Sequence, residues 1–542
     1  MRTLLLILLA GSVLAASAAQ PADKNDIGQS GFVYCVNGVL TTFNPQLASG
    51  GLVVDTLASQ IYDRLLRVAS NGFRLQPELA QRWEVSGNNM IFRFHLRHDV
   101  SFQKTAWFTP SRTMNADDVV FSFQRVFDRN NHWHNVHGGR YPYFDSLQFT
   151  QKVKSVHKID PYTVEITLKE PDISFLWHLA TNYAPVLSAE YAAQLEKQSR
   201  KPALDNFPVG TGPFLLQEYR PRNYIRLVRN PSYWQQGLPR MEQVVIDIGV
   251  SGTGRISKLL TGECDVLAWP SASQISVLRD DPRLRLTLRP SMNIAYLAFN
   301  TSKAPLNRSE VRHALALAIN NDRLMESVYY GTAETAASII PRASWGYDNE
   351  ARITRYNPKK AREILKSLGI RKLRLSLWVP PASEPWNPSP QKTAEIIQSD
   401  LDGIGVHVTI HRLEGHFQQA MLMDKNHDLT LSGWNSDSDD PNNFFRPLLS
   451  CAAISSGTNI ARWCYPPFDA LLQQGSPSHN LACRRRSYHY AQMILTRELP
   501  VLPLASSLHL LAYRHDIQVL ELSTFGSALF AGVYRCPARE TP

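Results

Sequence analysis

Strand-like and helix-like segments alternate in the second half of this sequence, and that order restricts the chain to α/β architectures. Residues 373–379 and 406–410 have the character of strands, whereas 358–368 and 393–401 have that of helices. Strands separated by helices form parallel or mixed sheets with helices packed on their faces. Upstream, residues 53–66 also predict a helix. No repeat or low-complexity block appears, so we expect an α/β protein of at least two lobes.

The first half of the chain shows a second pattern, in which strands pair with near neighbours in sequence. Residues 83–96 contain a G-N-N turn followed by alternating apolar and polar residues, which predicts a β-hairpin. Asn115 is a candidate helix N-cap because two aspartates follow it in the first turn. Residues 156–168 predict another strand pair. This region is therefore expected to form a small α+β unit.

The first 18 residues have the features of an export signal. Arg2 supplies a positive start, residues 4–9 are an unbroken apolar run, and Ala16-Ser17-Ala18 matches an A-x-A cleavage site. No other segment approaches the roughly 20 apolar residues of a membrane helix. The first cysteine, Cys35, lies beyond a polar segment, so a lipid anchor is not expected. The sequence predicts a protein that is free in the periplasm after signal cleavage.

The cysteines of an exported chain favour disulfides over metal ligands here, because no two of them form a C-x-x-C pair. The six are Cys35, Cys264, Cys451, Cys464, Cys483 and Cys536. Six cysteines allow many complete pairings, and their spacing does not choose among them. Cys451 and Cys464 lie nearest each other in sequence and are the first candidates for a bond.

The chain is basic, with a formal net charge of +10, which raises the possibility of a polyanion partner such as nucleic acid. The basic residues are scattered, and the only dense cluster is Arg484-Arg485-Arg486 with His489. Such a cluster on a helix is more often a solvated face. Nucleic-acid binding is therefore not the expected function, although composition does not exclude it.

Common signatures of catalysis are missing. The sequence has no H-E-x-x-H, G-x-S-x-G or G-x-x-x-x-G-K-[ST] motif, and the glycines at 249–254 form a weak pattern that favours a turn. The best metal candidate is the group His132, His134 and His137, for which a solvated loop is the favoured interpretation. We expect a protein that is not an enzyme and has no cofactor or metal.

Many ordered motifs resemble those of one family across nearly the whole mature chain. They are F-N-P-Q-L (43–47), P-E-L-A-Q-R-W-E-V (77–85), F-R-F-H-L-R-H-D-V-S-F (92–102), A-D-D-V-V-F-S-F (116–123), P-V-G-T-G-P-F (208–214), N-P-S-Y-W (230–234), T-G-E-C-D-V (261–266), Y-L-A-F-N (296–300), V-R-H-A-L-A-L-A-I (311–319) and G-W-N-S-D-S-D-D-P-N-N-F-F (433–445). The chain resembles the dipeptide- and oligopeptide-binding proteins of ATP-driven (ABC) importers. Residues 103–113 and 252–270 are most similar to a subfamily associated with resistance to antimicrobial peptides.

The resemblance implies a two-lobed α/β periplasmic-binding-protein (Venus flytrap) fold with an additional small α+β domain. The first lobe would comprise residues 19–72, 206–295 and 502–542. The inserted α+β domain would comprise residues 73–205, and the second lobe residues 296–501. The implied partners are a peptide ligand and an inner-membrane ABC permease with cytoplasmic ATPase subunits, and a monomer is expected.

The resemblance also implies two disulfides, Cys35 with Cys264 and Cys451 with Cys464, and leaves Cys483 without an assigned partner. Cys536 likewise has no family counterpart.

A ligand site follows from the same resemblance. Asp437 matches an aspartate that binds the ligand's ammonium group, and Asp439 adds negative potential beside it. Ser49, Gly50 and Gly51 match a loop that hydrogen-bonds the ligand backbone, where glycine permits close approach. Trp434, preceded by Gly433, and Trp386 are each either a pocket wall or part of the core. A calcium loop is not expected in this segment, because the residues do not fit the EF-hand template.

Glu384 departs from the family pattern. Dipeptide-specific relatives have an arginine here that pairs with the ligand's carboxylate, and a glutamate reverses the sign of that interaction. The change argues against strict dipeptide specificity and favours a longer or cationic peptide. Two alternatives remain: a haem carrier, because members related to this family carry haem, and a polyanion-binding protein that uses the basic excess.

Overall fold

The computed structural model describes residues 27, 30–48, 51–69, 74–249, 253–351, 355–381, 384–413, 426–436, 440–475, 481–523, 525 and 527–536. The strands are, in chain order, β1 (Gly31–Cys35), β2 (Leu66–Val68), β3 (Leu75–Pro77), β4 (Ala80–Val85), β5 (Ile91–Leu96), β6 (Val153–Asp160), β7 (Thr163–Leu168), β8 (Phe214–Arg220), β9 (Tyr224–Arg229), β10 (Gln243–Asp247), β11 (Val266–Ala268), β12 (Leu284–Arg289), β13 (Asn293–Phe299), β14 (Ala333–Thr335), β15 (Leu373–Val379), β16 (Val406–Arg412), β17 (Leu429–Asn435), β18 (Val501–Ser507), β19 (His509–Arg514), β20 (Ile517–Gln518), β21 (Glu521–Leu522), β22 (Ala528–Leu529) and β23 (Tyr534–Arg535).

The α-helices are α1 (Ala58–Ile61), α2 (Ala116–Phe127), α3 (Pro142–Ser146), α4 (Phe149–Lys152), α5 (Phe175–Leu179), α6 (Ala189–Lys197), α7 (Thr253–Thr261), α8 (Ile275–Asp280), α9 (Ser309–Ala318), α10 (Asn321–Leu324), α11 (Pro358–Ser367), α12 (Pro390–Asp402), α13 (Asn442–Leu449), α14 (Ala453–Ser456), α15 (Pro466–Gly475) and α16 (Leu481–Glu498). Within the described residues, none of these helices is both long enough and apolar enough to span a bilayer.

Two large mixed sheets form the two lobes. The first has the order β12-β19-β11-β1-β10-β9-β8 and the second the order β14-β18-β13-β17-β15-β16. The chain passes between them where β12 leads into β13 and where β18 leads into β19. The side chain of Asn293 joins these two connections, because it accepts a hydrogen bond from the Ser507 backbone N–H at 2.8 Å and donates to the Ser507 carbonyl at 3.1 Å. The predicted two-lobed α/β fold is confirmed.

A third sheet, β4-β5-β7-β6, belongs to the smaller α+β part of the molecule. The predicted hairpin is present as the antiparallel pair β4 and β5. The predicted cap is present as well: the Asn115 side chain accepts from the Asp117 N–H, and the Asp118 carboxylate accepts from the Asn115 N–H, both at 2.9 Å. These reciprocal bonds satisfy donors that the first turn of α2 leaves free. The lobe boundaries expected from the sequence remain a prediction.

The predicted helix over residues 53–66 is present over residues 53–61, and the prediction was wrong about where it ends. Residues Val53–Leu57 form a π-helical turn that continues into α1, and Tyr62 is already extended. The carbonyl of Ile61 accepts hydrogen bonds from the Gly212 N–H at 3.0 Å and from the Gln103 side chain at 3.1 Å. A Cβ at position 210 would lie 1.9 Å from the same carbonyl oxygen, so the G-T-G segment has no space for a side chain there.

Apolar residues cover both faces of the second sheet. Along β13, Ala295, Leu297 and Phe299 lie in one core cluster, whereas Ile294 and Tyr296 lie in the cluster on the opposite face. A strand that is buried on both sides must be apolar at every position, which β13 nearly is. The sheet therefore forms the buried centre of its lobe.

The cysteines form the two bonds that the resemblance implied. Cys35 is joined to Cys264, which ties β1 to the segment before β11, and Cys451 is joined to Cys464. Cys483 is an exposed thiol and Cys536 a half-buried one.

Candidate functional site

The candidate site lies at the edge of the second sheet where three parallel strands end. Strand β15 pairs in parallel with both β16 and β17, so their carboxyl ends meet at one edge. Ligands of open α/β sheets bind outside such an edge. This edge also lies beside the connections between the lobes, because the Ser436 N–H donates to the Met292 carbonyl at 2.7 Å.

Trp386 lies in the loop after β15, and hydrogen bonds to its backbone carbonyl fix its position. Its carbonyl accepts hydrogen bonds from the Tyr329 hydroxyl at 3.2 Å and from the Ser507 hydroxyl at 3.1 Å. Only 7% of the residue is exposed, and it packs in the core of the second lobe against Gly433. Of the two interpretations open at the sequence level, the structure therefore places Trp386 in the core, as a support for the site edge.

Trp434 stands at the end of β17 and is only half-buried. Its indole N–H donates to the Asn443 side-chain oxygen at 3.0 Å. The ring packs in part against a core cluster of the second lobe, and its exposed remainder lies at the strand ends that border the candidate site; the region beyond these ends is here called the crevice. The two tryptophans therefore lie on either side of Gly433 but differ in exposure.

Glu384 lies two residues before Trp386. It stands in a short loop that is closed by two backbone hydrogen bonds of 2.9 Å between Glu384 and Asn387. Burial raises the pKa of the Glu384 carboxyl to about 7. Within the described part of the chain, Glu384 forms no ion pair. The loop therefore presents a largely desolvated carboxyl group that has no cationic partner among the described residues.

The remaining predicted site residues are only partly described. Asp437, Asp439, Ser49 and Gly50 lie outside the described residues. Gly51 is exposed, with φ at +80°, and its carbonyl accepts from the Val54 and Asp55 N–H groups at the start of the π-helical turn. Its role as a ligand contact stays a prediction.

Asp55 is an acidic residue that the sequence analysis missed. Burial raises the pKa of its carboxyl to about 7, although a hydrogen bond with the Gly51 backbone opposes the shift. The available signal was a single charge inside the otherwise uncharged helical stretch 52–61. Asp55 stands one turn after the predicted backbone-binding loop.

The basic cluster does not form one solvated face. Arg485 and Arg486 are exposed as predicted, but the prediction was wrong for Arg484, whose side chain is 11% exposed and forms an ion pair with Asp440. Asp440, next to the predicted Asp439, is buried at 3% exposure. The side chain of Arg484 points inward because Asp440 supplies a buried counter-charge there. The aromatic rings of Trp345 and Tyr488 add cation–π contacts to its guanidinium.

The three histidines considered as metal ligands have separate partners. His134 Nδ1 bonds the Arg125 carbonyl at 2.8 Å, His137 Nε2 lies 2.9 Å from Asp205, and His132 Nε2 lies 3.2 Å from Glu196. A different group, Asp348, Glu350 and His489, places its ligand atoms within 4.8 Å of one another. There His489 Nδ1 is already committed to Asp348 at 2.5 Å.

Together the two sheets, the two connections between them and the site edge beside those connections give the two-lobed architecture of a solute-binding protein. Residues 74–456 match the model of the bacterial extracellular solute-binding proteins, family 5, and the chain belongs to this family.

Individual relatives match over almost their entire lengths. The chain is 65% identical to the probable ABC transporter periplasmic-binding protein SapA of Escherichia coli K12 and to the peptide transport periplasmic protein SapA of Salmonella typhimurium LT2, over 97% of this chain and 96% of each relative. A crystal structure of a dipeptide-binding protein from a Pseudoalteromonas species, in complex with Met-Leu, superposes with a TM-score of 0.86 at 38% identity. That match covers 93% of this chain and all of the other.

Proposed function

We propose that this chain is the periplasmic component of an ABC peptide importer, which captures a peptide between its lobes and delivers it to an inner-membrane permease. The observation that carries the proposal is the site edge beside the interlobe connections, in a chain of which 97% matches a peptide transport periplasmic protein. The 65% identity to two SapA proteins over 97% of this chain further supports a Sap-type transporter and a link to antimicrobial-peptide resistance. A cleaved signal, a periplasmic location and a monomeric state belong to the same proposal.

A peptide loses its water when lobes close over it, and each buried polar group then needs a partner. An unpaired buried backbone group costs about 1–3 kcal/mol, and an unpaired charge costs more. We assign the ammonium group to Asp437, with Asp439 adding negative potential. The ligand backbone is assigned to the loop 49–51, where glycines permit close approach.

Glu384 defines the kind of peptide that fits. A desolvated carboxyl group with no ion pair among the described residues attracts a basic side chain and repels a carboxylate. The net charge of +10 opposes the approach of cations over long distances. Salt screens distant charges beyond roughly 8 Å, so the local charge of the crevice governs binding. A longer or basic peptide is therefore the proposed ligand, and binding involves no chemical conversion.

Identification of the ligand tests the proposal. The protein is purified from the periplasm without refolding, and its bound molecules are released and analysed by mass spectrometry. Short peptides enriched in lysine or arginine are the expected result. A Soret absorption band would instead support haem, and nucleic-acid absorbance with steep salt dependence would support a polyanion. Either of these results, without peptides, would contradict the proposal.

The charge preference is tested separately by calorimetry. The tripeptides Lys-Leu-Lys and Lys-Leu-Glu differ at one end, and the first is expected to bind more tightly to the wild-type protein. Glu384→Arg should reverse the order. Retention of the wild-type order in that variant would remove Glu384 from the site.

A further inference from the structure

Arg484 differs from the two arginines that follow it on α16. Its guanidinium lies over the ring of Trp345, 5.1 Å from the centroid, and pairs with the carboxylate of Asp440. Arg485 and Arg486 point into solvent. One helix therefore carries a buried arginine next to two exposed ones of the same type.

The carboxylate of Asp440 is bonded on both oxygens by groups of the protein itself. Its Oδ2 accepts from Arg484, and its Oδ1 accepts from the Tyr488 hydroxyl at 3.3 Å and from the Asn442 N–H at 3.0 Å. Its side chain is 4% exposed. A carboxylate that is bonded on both oxygens and hidden from solvent fixes the position of its backbone.

That backbone is connected to the crevice wall. The Asp440 carbonyl accepts from the Asn443 N–H at 2.9 Å, and the Asn443 side-chain oxygen accepts from the indole N–H of Trp434 at 3.0 Å. Four described residues thus form a continuous chain of bonds from α16 to the half-buried indole. Pro441, between them, packs tightly on Gly346, where a Cβ would lie 2.1 Å from the proline ring.

We propose that Arg484 is a positioning residue for the ligand crevice, which fixes the indole of Trp434 through Asp440 and Asn443 without touching the ligand. The inference rests on the proposed function in one respect, namely that a peptide binds against Trp434. A buried ion pair contributes little net stability compared with an apolar replacement, but it holds its two partners in one geometry. The ligand site requires such a geometry because an indole is a useful wall only in a defined orientation.

The test compares Arg484→Met with Arg485→Met, which removes the same charge from the same helix at an exposed position. Binding of Lys-Leu-Lys is measured by calorimetry, together with the melting temperature. Arg484→Met is expected to weaken binding about tenfold or more, whereas Arg485→Met should change it less than about twofold. Equal affinities for the two variants would overturn the proposal.

A double-mutant cycle separates positioning from general stability. If Arg484 acts through Trp434, then Arg484→Met should have almost no further effect on affinity in a Trp434→Ala background. Independent effects that multiply would show that Arg484 acts elsewhere, and would overturn the proposal even if each variant binds weakly.

Asn443→Ala provides the test if Arg484→Met does not fold. It breaks the link to the indole and leaves the ion pair between Arg484 and Asp440 in place. A similar loss of affinity is expected, with a melting temperature near that of the wild type. Wild-type affinity in Asn443→Ala would overturn the proposal. Failure of the wild-type protein itself to bind any peptide would instead contradict the proposed function.

Discussion

Trp386 packs against the backbone of Gly433 so closely that a Cβ at position 433 would lie 2.0 Å from the indole Cδ2. Gly433 belongs to β17, whereas Trp386 lies in the loop that follows the parallel neighbour β15, and the carboxyl ends of these two strands border the candidate site. The contact explains why glycine precedes Trp434. It also means that a change at position 433 affects the core of the lobe through Trp386 and the crevice wall through Trp434.

Gly433→Ala should therefore disturb both stability and binding. The added methyl group forces the Trp386 ring to move, and overpacking of this kind costs about 1–3 kcal/mol. Urea unfolding should show that loss, and calorimetry should show weaker peptide binding. Gly87→Ala is the matched control because a Cβ there meets nothing within 4 Å. Wild-type stability in Gly433→Ala would show that the indole has room to move.

Glu384 predicts a pH-dependent difference in stability. Its folded-state pKa, about 7, lies above the ordinary value of 4.5, so the folded protein binds more protons than the unfolded chain between these values. The contribution of this group to the free energy of unfolding is therefore present at low pH and falls as the pH rises through that window. Glu384→Gln removes the effect and should be more stable than the wild type at pH 8, by about 2–3 kcal/mol, with no advantage near pH 4.

Asp55 and Asp63 also have pKa values raised to about 7 by burial, so the whole protein titrates in the same window. The difference in the free energy of unfolding between the wild type and Glu384→Gln isolates the contribution of the Glu384 carboxyl, because the other groups titrate in both proteins. Glu363→Gln, at an exposed position on α11, is the control and should follow the wild-type curve. A constant gap between Glu384→Gln and wild type from pH 4 to pH 8 would contradict the assignment.

Arg125 and Asp205 form a fully buried ion pair that joins α2 to the segment leading into the first lobe, with N–O distances of 3.0 and 3.2 Å. Asn44 also donates to Asp205, at 2.6 Å. Arg125→Met leaves a buried carboxylate short of its main partner and should lower the free energy of unfolding by about 3–5 kcal/mol.

The double variant Arg125→Met with Asp205→Asn should recover part of this loss, because both charges are removed and no unpaired carboxylate stays buried. Arg82→Met breaks an exposed pair with Glu84 and should cost less than about 1 kcal/mol. Denaturant unfolding measures all three. A loss in Arg125→Met no larger than that in Arg82→Met would show that water reaches Asp205.

Features with short-range causes were predictable from the sequence, and features that depend on distant contacts were not. The hairpin over 83–96 and the Asn115 cap depend on residues that are close to each other in sequence, and both are present. The inward direction of Arg484 depends on Asp440, 44 positions away, and the end of α1 depends on Gly212. The resemblance supplied Asp437 and the loop 49–51, but the burial of Trp386 and Asp55 required the packed structure.

Asp437 is the residue assigned to the peptide's amino end. Asp437→Ala should weaken binding of a free-amino peptide by about 2–5 kcal/mol, because the ammonium group would be buried without its partner. The N-acetylated form of the same peptide lacks that charge, so its weaker binding should hardly change in the variant. Calorimetry with both peptides on both proteins completes a cycle that isolates the ammonium contact. Equal losses for the two peptides would show that Asp437 maintains the crevice instead of binding the amino end, and unchanged affinities would remove it from the site.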